Sequence, residues 1–206
     1  YTPSNHEWLT QRDLDMNTTP VIFPYKGRDV LVGSGKEGRF FLLDSKSIGG
    51  ADHETPLFRS ELIANANVNF QTEGTWGSFA SWTSKDNTRW VLAPNGGPTV
   101  DKFPINYGTT PNGGILAFKL DDAGGKPTLK MAWQSQDMMT AEPPVIANGV
   151  VFALAGGEFT GQANDAEGGL FSAEDRIKRS IPAKLYALDA LTGKELYSSG
   201  DQIASF

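Results

Sequence analysis

The chain has 206 residues, of which 39% are hydrophobic and 11% aromatic, enough for one large domain or two small ones with a packed core. Its 23 glycines and 12 prolines favour a fold rich in turns over a helical one. The net charge of -6 argues against nucleic-acid partners and an anionic membrane surface, which both need a basic stripe on the protein.

The cysteine content and the hydropathy of the chain exclude further kinds of site and protein. The chain has no cysteine, which excludes disulfides, thiolate metal sites, Fe–S clusters and thiol catalysis. No apolar run approaches the ~18 residues of a membrane span. The sequence shows no signal peptide and starts at Tyr1 instead of methionine, so we expect a processed or excised chain. These features are typical of an exported bacterial protein, although a cytosolic protein can also lack cysteine.

The predicted elements form a repeat along the chain. A strand is predicted at about 6–12, around Trp8, and three longer units follow at 18–62, 76–137 and 142–200. Residues 203–206 begin a further unit. Each long unit contains four short apolar segments separated by turn residues, which predict four antiparallel strands, named a to d.

The fourth strand of each unit provides the clearest alignment of the copies. It reads as an apolar residue, an aromatic, any residue and serine, at 57–60, 132–135 and 196–199. The aromatic positions are Phe58, Trp133 and Tyr197, with Trp8 in a looser copy. Upstream, strand a is predicted at 19–23, 77–82 and 144–147, strand b at 29–33, 89–93 and 150–154, and strand c at 39–44, 114–119 and 184–189.

Four-stranded antiparallel units repeated about every 40 to 50 residues are typical of β-propellers. A single sheet cannot bury both of its faces, so we expect the units to stack as blades. The aromatic of strand d would then fill the gap between neighbouring blades. The sequence therefore predicts an all-β protein, a β-propeller of four-stranded antiparallel blades with about three blades in this chain.

The turn between strands c and d of the last unit has a structural explanation. We predict that Asp189 accepts hydrogen bonds from backbone N–H groups within the turn and that Thr192 does so more weakly. Gly193 would supply the positive φ that closes the hairpin. This assigns the three residues to a blade corner and not to a catalytic role.

The same segment carries a family resemblance. LYALDALTGKELY at 185–197 resembles the pyrroloquinoline-quinone (PQQ) type propeller repeat, with Tyr197 where that repeat usually has Trp. PPVIANGVVFAL at 143–154 resembles its first two strands, and VLVGSGKEGRFFLLD at 30–44 another copy. The resemblance covers most of the chain and is weakest across 63–113. It implies the quinoprotein alcohol dehydrogenase-like superfamily, which is usually periplasmic or extracytoplasmic.

The family includes both enzymes and proteins without a cofactor. Its repeat is shared by quinoprotein dehydrogenases and cofactor-free scaffolds, and this chain looks most like bacterial PQQ-binding-like repeat proteins without an assigned reaction. Rings of about seven or eight blades are usual for the family. Three blades would leave open edges, so we expect either that the chain is part of such a longer propeller or that several chains close the ring.

Three long connections are predicted on one face of the propeller. They are 63–75, between strands d and a, and 94–113 and 156–182, both between strands b and c. Because strand direction alternates, these two classes of connection lie on the same face, here called the long-loop face. Long loops on a rigid scaffold commonly carry binding or catalysis, and the alternative is loop drift on a tolerant surface.

Three residues are candidates for a cofactor site on the strength of the resemblance. Glu158 in AGGEFTG resembles the Gly-Ala-Glu segment of quinoprotein alcohol dehydrogenases, in which the glutamate ligates the calcium that polarises PQQ. The Gly-Val-Arg-Gly that normally follows is absent, and a solvated loop carboxylate is the alternative. Trp76 and Trp82, predicted on one face of an innermost strand, would correspond to the aromatic floor beneath the quinone, or else pack near the channel.

We therefore expect a non-enzymatic binding scaffold, periplasmic or extracellular in a bacterium. Its partner would be a protein, peptide or other polymer on the long-loop face, or the remaining propeller blades. The alternative is a quinoprotein dehydrogenase that oxidises alcohols or sugars with PQQ and calcium, two cofactors that are not expected by default. A binder of small molecules or carbohydrates through exposed aromatics is a third hypothesis.

Overall fold

The computed structural model describes residues 1–100, 102–164 and 168–205. Almost all regular structure in these residues is β. In chain order the elements are α1 (His6–Thr10), β1 (Thr18–Thr19), β2 (Val21–Tyr25), β3 (Arg28–Gly33), β4 (Phe41–Asp44), β5 (Phe58–Arg59), β6 (Gly74–Thr75), β7 (Gly77–Ser78), β8 (Ala80–Thr83), β9 (Arg89–Gly96), β10 (Ile105–Asn106), β11 (Gly113–Ala123), β12 (Lys126–Gln134), β13 (Val145–Ala147), β14 (Val150–Ala155), β15 (Ala163–Asn164), β16 (Gly169–Leu170), α2 (Ala173–Arg179), β17 (Lys184–Asp189), β18 (Glu195–Ser198) and a 3-10 helix (Gly200–Gln202).

Three antiparallel sheets of successive strands make up the fold. The first sheet has the order β2-β3-β4-β5, and the last has the order β13-β14-β17-β18. The middle sheet runs β8-β9-β11-β12, with β6 added beside β9 and β10 added in parallel beside β12. The predicted all-β fold of four-stranded antiparallel blades is confirmed, and the middle blade carries two additional short strands.

A serine at the end of strand d ties each blade to the start of its third strand. Its hydroxyl accepts a backbone N–H hydrogen bond from that strand and donates to the carbonyl of the residue that follows the serine. The bond is therefore the reason that serine recurs after the aromatic. The N–H donors and serines are Phe40 with Ser60 (2.9 Å), Ile115 with Ser135 (2.9 Å) and Leu185 with Ser199 (3.0 Å).

Two hydrophobic cores lie between the three sheets, and β11 contributes to both. Ile115 and Ala117 belong to the core between the middle and last sheets, whereas Leu116 and Phe118 belong to the core between the first and middle sheets. Successive side chains of a strand point to opposite faces, so β11 is buried on both sides. This explains its nearly continuous apolar sequence.

The last c–d turn has the predicted structure. The Asp189 carboxylate accepts hydrogen bonds from the backbone N–H groups of Leu191 (3.1 Å) and Thr192 (2.9 Å). Gly193 has a φ of 74°, and a Cβ added there would lie 2.5 Å from Cε3 of Trp133. The Trp133 indole donates its Nε1–H to the Ala190 carbonyl at 3.1 Å. Thus the strand-d aromatic of the middle sheet packs against the c–d turn of the last sheet.

The predicted strand at 6–12 is wrong, because the segment forms the helix α1. Leu9 is buried on the inner side of this helix. A strand needs a neighbour to satisfy its backbone groups, whereas a helix satisfies them internally, and Glu7, Leu9 and Gln11 favour helix. The strand was predicted from the aromatic residue Trp8 alone, which does not distinguish a strand from a helix.

The predicted further unit at 203–206 is represented by one β-bridge between Ala183 and Ile203, directly after the 3-10 helix. Phe206 lies outside the described residues. No helix in residues 1–100, 102–164 and 168–205 is long and apolar enough to cross a membrane.

Candidate functional site

A cavity of about 400 Å³ opens where the three long connections meet. Residues from 63–75, 94–113 and 156–182 all contribute to its walls, together with the segment that leads into β13. The lining residues are Gln71, Thr72, Glu73, Trp76, Gly77, Gly96, Gly97, Pro111, Asn112, Met139, Thr140, Ala141, Glu142, Pro143, Glu158, Phe159, Thr160 and Gly161.

One wall of the cavity is a buried carboxylate. Glu73 is only 9% exposed, and its Oε1 accepts a hydrogen bond from Nδ2 of Asn67 at 3.1 Å. It packs against Gly97, where an added Cβ would lie 2.4 Å from Cγ of Glu73. Gly97 also has a φ of 73°, so both the space and the backbone conformation favour glycine. The glycine after β9 therefore makes room for the carboxylate.

A glutamine connects two of the long connections. Oε1 of Gln71 accepts hydrogen bonds from the backbone N–H groups of Gln162 and Ala163, both at 3.0 Å. These two hydrogen bonds join the connection 63–75 to the connection 156–182 through the side-chain oxygen of Gln71. The cavity walls contributed by these two segments are thereby fixed relative to each other.

Glu158 lies at the start of the longest connection and is half-buried. Its Oε1 accepts a hydrogen bond from Nη2 of Arg176, in helix α2, at 2.9 Å. Its carbonyl accepts a hydrogen bond from Oγ1 of Thr140 at 2.7 Å. The carboxylate predicted to ligate a metal is thus held by an arginine of the same connection.

Helix α2, which carries that arginine, begins with a capping box. Ser172 accepts the backbone N–H of Asp175, and the Asp175 carboxylate accepts the backbone N–H of Ser172. Hydrogen bonds from the Ser172 hydroxyl and backbone lower the pKa of Asp175. The capped helix fixes the position from which Arg176 reaches Glu158.

An aromatic pair lies in the longest connection, and one of its rings, that of Phe159, lines the cavity. Phe159 meets Phe171 edge-on, with ring centroids 5.2 Å apart. The guanidinium of Arg179 lies 5.5 Å from the Phe159 centroid and 4.6 Å from the Phe171 centroid. Arginine over an aromatic ring forms a cation–π interaction, which stabilises the packing of Phe159 and Phe171.

Trp76 also lines the cavity and is half-buried. Nζ of Lys36 lies 5.5 Å from the centre of its ring. Burial alone would lower the pKa of Lys36, but hydrogen bonds and charges from Asp15 and Asp13 outweigh it and raise the pKa. The indole therefore already contacts one charged lysine, which is paired at 2.7 Å with Asp15.

Trp82 does not line the cavity. The predicted strand 77–82 is divided: β7 pairs with β1, whereas β8 pairs with β9, and the buried Phe79 lies between them. Contrary to the sequence prediction, Trp76 and Trp82 therefore do not lie on one face of a continuous strand. Trp82 stacks on Trp90 at 6.0 Å and packs against the core between the middle and last sheets.

Part of the connection 94–113 is structural. Phe103 is 1% exposed and packs edge-on against Phe118, 5.7 Å away. The next residues form β10, which pairs in parallel with the end of β12 and so covers an otherwise free edge of the middle sheet. Of the described residues in this connection, Gly96–Gly97 and Pro111–Asn112, near its two ends, line the cavity.

Two observations on the described residues bear on a calcium-bound quinone at Glu158. Within residues 1–100, 102–164 and 168–205, no group of three or more His, Cys, Asp or Glu side chains could hold a metal ion. Calcium needs several oxygen ligands, whereas Glu158 is bound by a guanidinium. Quinone or calcium binding by Glu158, Trp76 and Trp82 stays a prediction.

Sequence reasoning brought forward Trp76 and Glu158, and both line the cavity. It missed Glu73, Glu142 and Gln71. The glycine pair Gly96–Gly97 at the end of a buried strand was the available signal for Glu73, because such a pair permits the close approach of another segment. Nothing in the local sequence marks Glu142 or Gln71, whose positions depend on how the connections fold over the sheets.

Comparison with known proteins leaves the family open. No protein-family model matches the chain, and no curated protein matches it significantly. Among solved structures it is similar to a thermostable family-43 glycoside hydrolase, with a TM-score of 0.37 and 16% identity, over 91% of this chain and 55% of that one. It is also similar to BamB from Moraxella catarrhalis, with a TM-score of 0.26 and 15% identity, over 90% of this chain and 62% of that one. The chain thus spans less than two thirds of the length of either protein, and similarity at this level assigns it neither an activity nor a ligand.

Proposed function

We propose that this chain belongs to a PQQ-like β-propeller protein that acts as a non-enzymatic binding scaffold, periplasmic or extracellular in a bacterium. The observation that supports this proposal is the cavity lined by residues of all three long connections. Binding sites are commonly concave and built from a few polar groups among apolar ones. A site made from three separate connections serves recognition of a partner at the long-loop face.

The hydrogen bonds around the cavity support binding by a preformed surface. Gln71 joins two connections, Thr140 holds the backbone at Glu158, and the capping box orients α2. A preformed site loses less conformational entropy on binding than a flexible loop cluster does. The scaffold thus requires no ordering of these segments when a partner arrives.

Thr160 offers a direct test, because it lines the cavity and its side chain forms no hydrogen bond with the described residues. Thr160→Trp would fill the cavity, whereas Thr83→Trp places the same side chain on an exposed position of β8 and serves as the control. We expect crosslinking in native envelope extract to give the same partner band with the unaltered protein and Thr83→Trp, and to lose it with Thr160→Trp. A band that survives in all three proteins would exclude the cavity as the binding site.

The dehydrogenase alternative is tested with the same protein. Titration with PQQ and Ca²⁺, followed by the quinone absorbance and by dye reduction with alcohols and sugars, should show neither uptake nor turnover. Stoichiometric PQQ binding that is lost in Glu158→Gln would overturn the scaffold proposal in favour of the enzyme.

A further inference from the structure

We propose that the cavity takes a basic side chain, lysine or arginine, from a polypeptide partner. This inference rests on the proposed binding function and adds the chemistry of the ligand. Its basis is the combination of carboxylates, an indole and apolar residues in one concave site.

The charge of the cavity wall is the first observation. Among its lining residues are three glutamates, Glu73, Glu142 and Glu158, and no Lys, Arg or His. Glu158 is paired with Arg176, but neither Glu73 nor Glu142 forms an ion pair within the described part of the chain. Two cations contact aromatic residues of the lining, Arg179 at Phe159 and Lys36 at Trp76, but neither forms an ion pair with Glu73 or Glu142, so these two carboxylates are left for a charged ligand.

The burial of Glu73 gives this charge its importance. A carboxylate that is 9% exposed and has only an amide as hydrogen-bond donor is poorly compensated. An arriving cation would add a charged partner to the neutral amide of Asn67 that Glu73 already has. Charge-assisted hydrogen bonds of this kind are among the stronger polar contacts in proteins.

The Trp76 indole is the second observation. Its ring already has the Lys36 ammonium 5.5 Å from its centre, which shows that its environment accepts a cation over an aromatic face. Lys36 is itself held by Asp13 and Asp15 and does not line the cavity. Trp76 thus contributes an aromatic surface to the lining of the cavity.

The arrangement suits an extended organic cation better than a metal ion. No group of three or more acidic or histidine side chains is close enough to chelate an ion in the described residues. Met139, Ala141 and Pro143 add apolar wall. Lysine and arginine carry a long apolar stem beneath the charge, and so match a site with apolar walls and separated carboxylates.

The occupant is a side chain of a polypeptide because the cavity opens on the face that we propose binds a macromolecule. The chain's net charge of -6 also attracts a basic partner before contact. A cavity of about 400 Å³ lies in the range that accommodates a side chain with a neighbouring group.

The test uses the full chain and three synthetic probes, the pentapeptides Gly-Gly-X-Gly-Gly with blocked ends, where X is arginine, lysine or citrulline. Citrulline matches arginine in shape but carries no charge. We expect NMR titration to shift the Gly97 and Trp76 signals with the arginine and lysine peptides, and to leave them unchanged with the citrulline peptide. Raising the salt concentration should weaken the binding, because it screens the charges. Equal shifts with citrulline would overturn the inference.

Glu142→Gln is the decisive variant, because this half-buried side chain forms no hydrogen bond or ion pair within the described residues. We expect its Kd for the arginine peptide to rise about tenfold or more, as one charged hydrogen bond is lost. Glu54→Gln makes the same change on an exposed loop and should leave the Kd unchanged. Unchanged affinity in Glu142→Gln would contradict the assignment of the basic side chain to this cavity.

The two proposals fail in different ways. If the envelope partner is lost in Thr160→Trp but kept in Glu142→Gln, the cavity binds a partner without a basic side chain, and only this inference falls. If the partner is kept in Thr160→Trp, the proposed function falls as well. Free arginine amide, tested beside the peptides, separates a side-chain site from a site for small amines: binding tighter than that of the peptide would overturn the polypeptide assignment.

Discussion

Trp133 and Tyr197 occupy the same position of the repeat in neighbouring sheets, yet their environments are opposite. Trp133 is 0% exposed, lies against the next sheet's Gly193 and donates to the Ala190 carbonyl. Tyr197 is 57% exposed, and none of the described residues forms a sheet beyond it. The repeat specifies an aromatic at this position, but the following sheet decides whether that aromatic is buried.

The comparison is tested most strongly by removing each aromatic. Trp133→Ala should lower the free energy of unfolding by about 3–5 kcal/mol, because it leaves a large cavity between two sheets. Tyr197→Ala, the matched change, should lower it by about 0.5 kcal/mol or less in the chain 1–206, as expected for an exposed side chain. Urea unfolding measures both values, and equal losses would refute this account of the interface.

The partner of Trp133 is tested by changing the glycine against which it packs. In Gly193→Ala the new Cβ meets the indole, whereas in Gly149→Ala it meets nothing within 4 Å. Their φ angles are 74° and 78°, so both variants carry the same backbone strain of about 1–2 kcal/mol. We expect Gly193→Ala to lose about 1–3 kcal/mol more by overpacking. Urea unfolding of the pair isolates the contact with Trp133, and equal losses would show that the contact is dispensable.

The serine that follows each aromatic gives a smaller contrast. Ser135→Ala leaves the buried N–H of Ile115 without an acceptor and should lower the free energy of unfolding by about 1–3 kcal/mol. Ser199→Ala removes the corresponding bond from Leu185 at an exposed position, where water replaces it, so about 0.5 kcal/mol or less is expected. Thermal unfolding of both variants is a sufficient measurement, with Ser199→Ala as the control.

The smallest expected loss of stability concerns a hydrogen bond to the last c–d turn. The Tyr107 hydroxyl, in the connection 94–113, donates to the Thr192 carbonyl at 3.1 Å. Tyr107→Phe should lower the free energy of unfolding by about 0.5–1 kcal/mol, while Tyr197→Phe, whose hydroxyl bonds to none of the described residues, should be neutral. Hydrogen exchange at the turn amides would show faster opening in the first variant alone.

Much of the fold could be predicted from the sequence because its determinants are local. Alternating apolar residues and the Asp189–Gly193 turn predicted the strands and corner of the last sheet, and the recurring aromatic and serine aligned the copies. The helix at Trp8 was missed because a four-residue pattern does not report whether a neighbouring strand is present. The division of 77–82 was missed for the same reason, since β7 pairs with the distant β1.

The site could be predicted only in outline. Alternating strand direction predicted that the three long connections share a face, and residues of all three line the cavity. The burial of Glu73 and the bridge made by Gln71 depend on contacts between segments far apart in the chain, which no local pattern encodes. Glu158 was selected by resemblance, and its pairing with Arg176 became visible only once α2 was placed.

The alternation of β11 between two cores has a consequence for folding cooperativity. Ile115 and Ala117 support one core and Leu116 and Phe118 the other, so the loss of either core removes packing from the same strand. Sheets joined only by loops could unfold one after another. Here both cores contain side chains of the same strand, β11, so the sheets should unfold together. Heating the chain should therefore give one calorimetric transition whose measured and van't Hoff enthalpies agree.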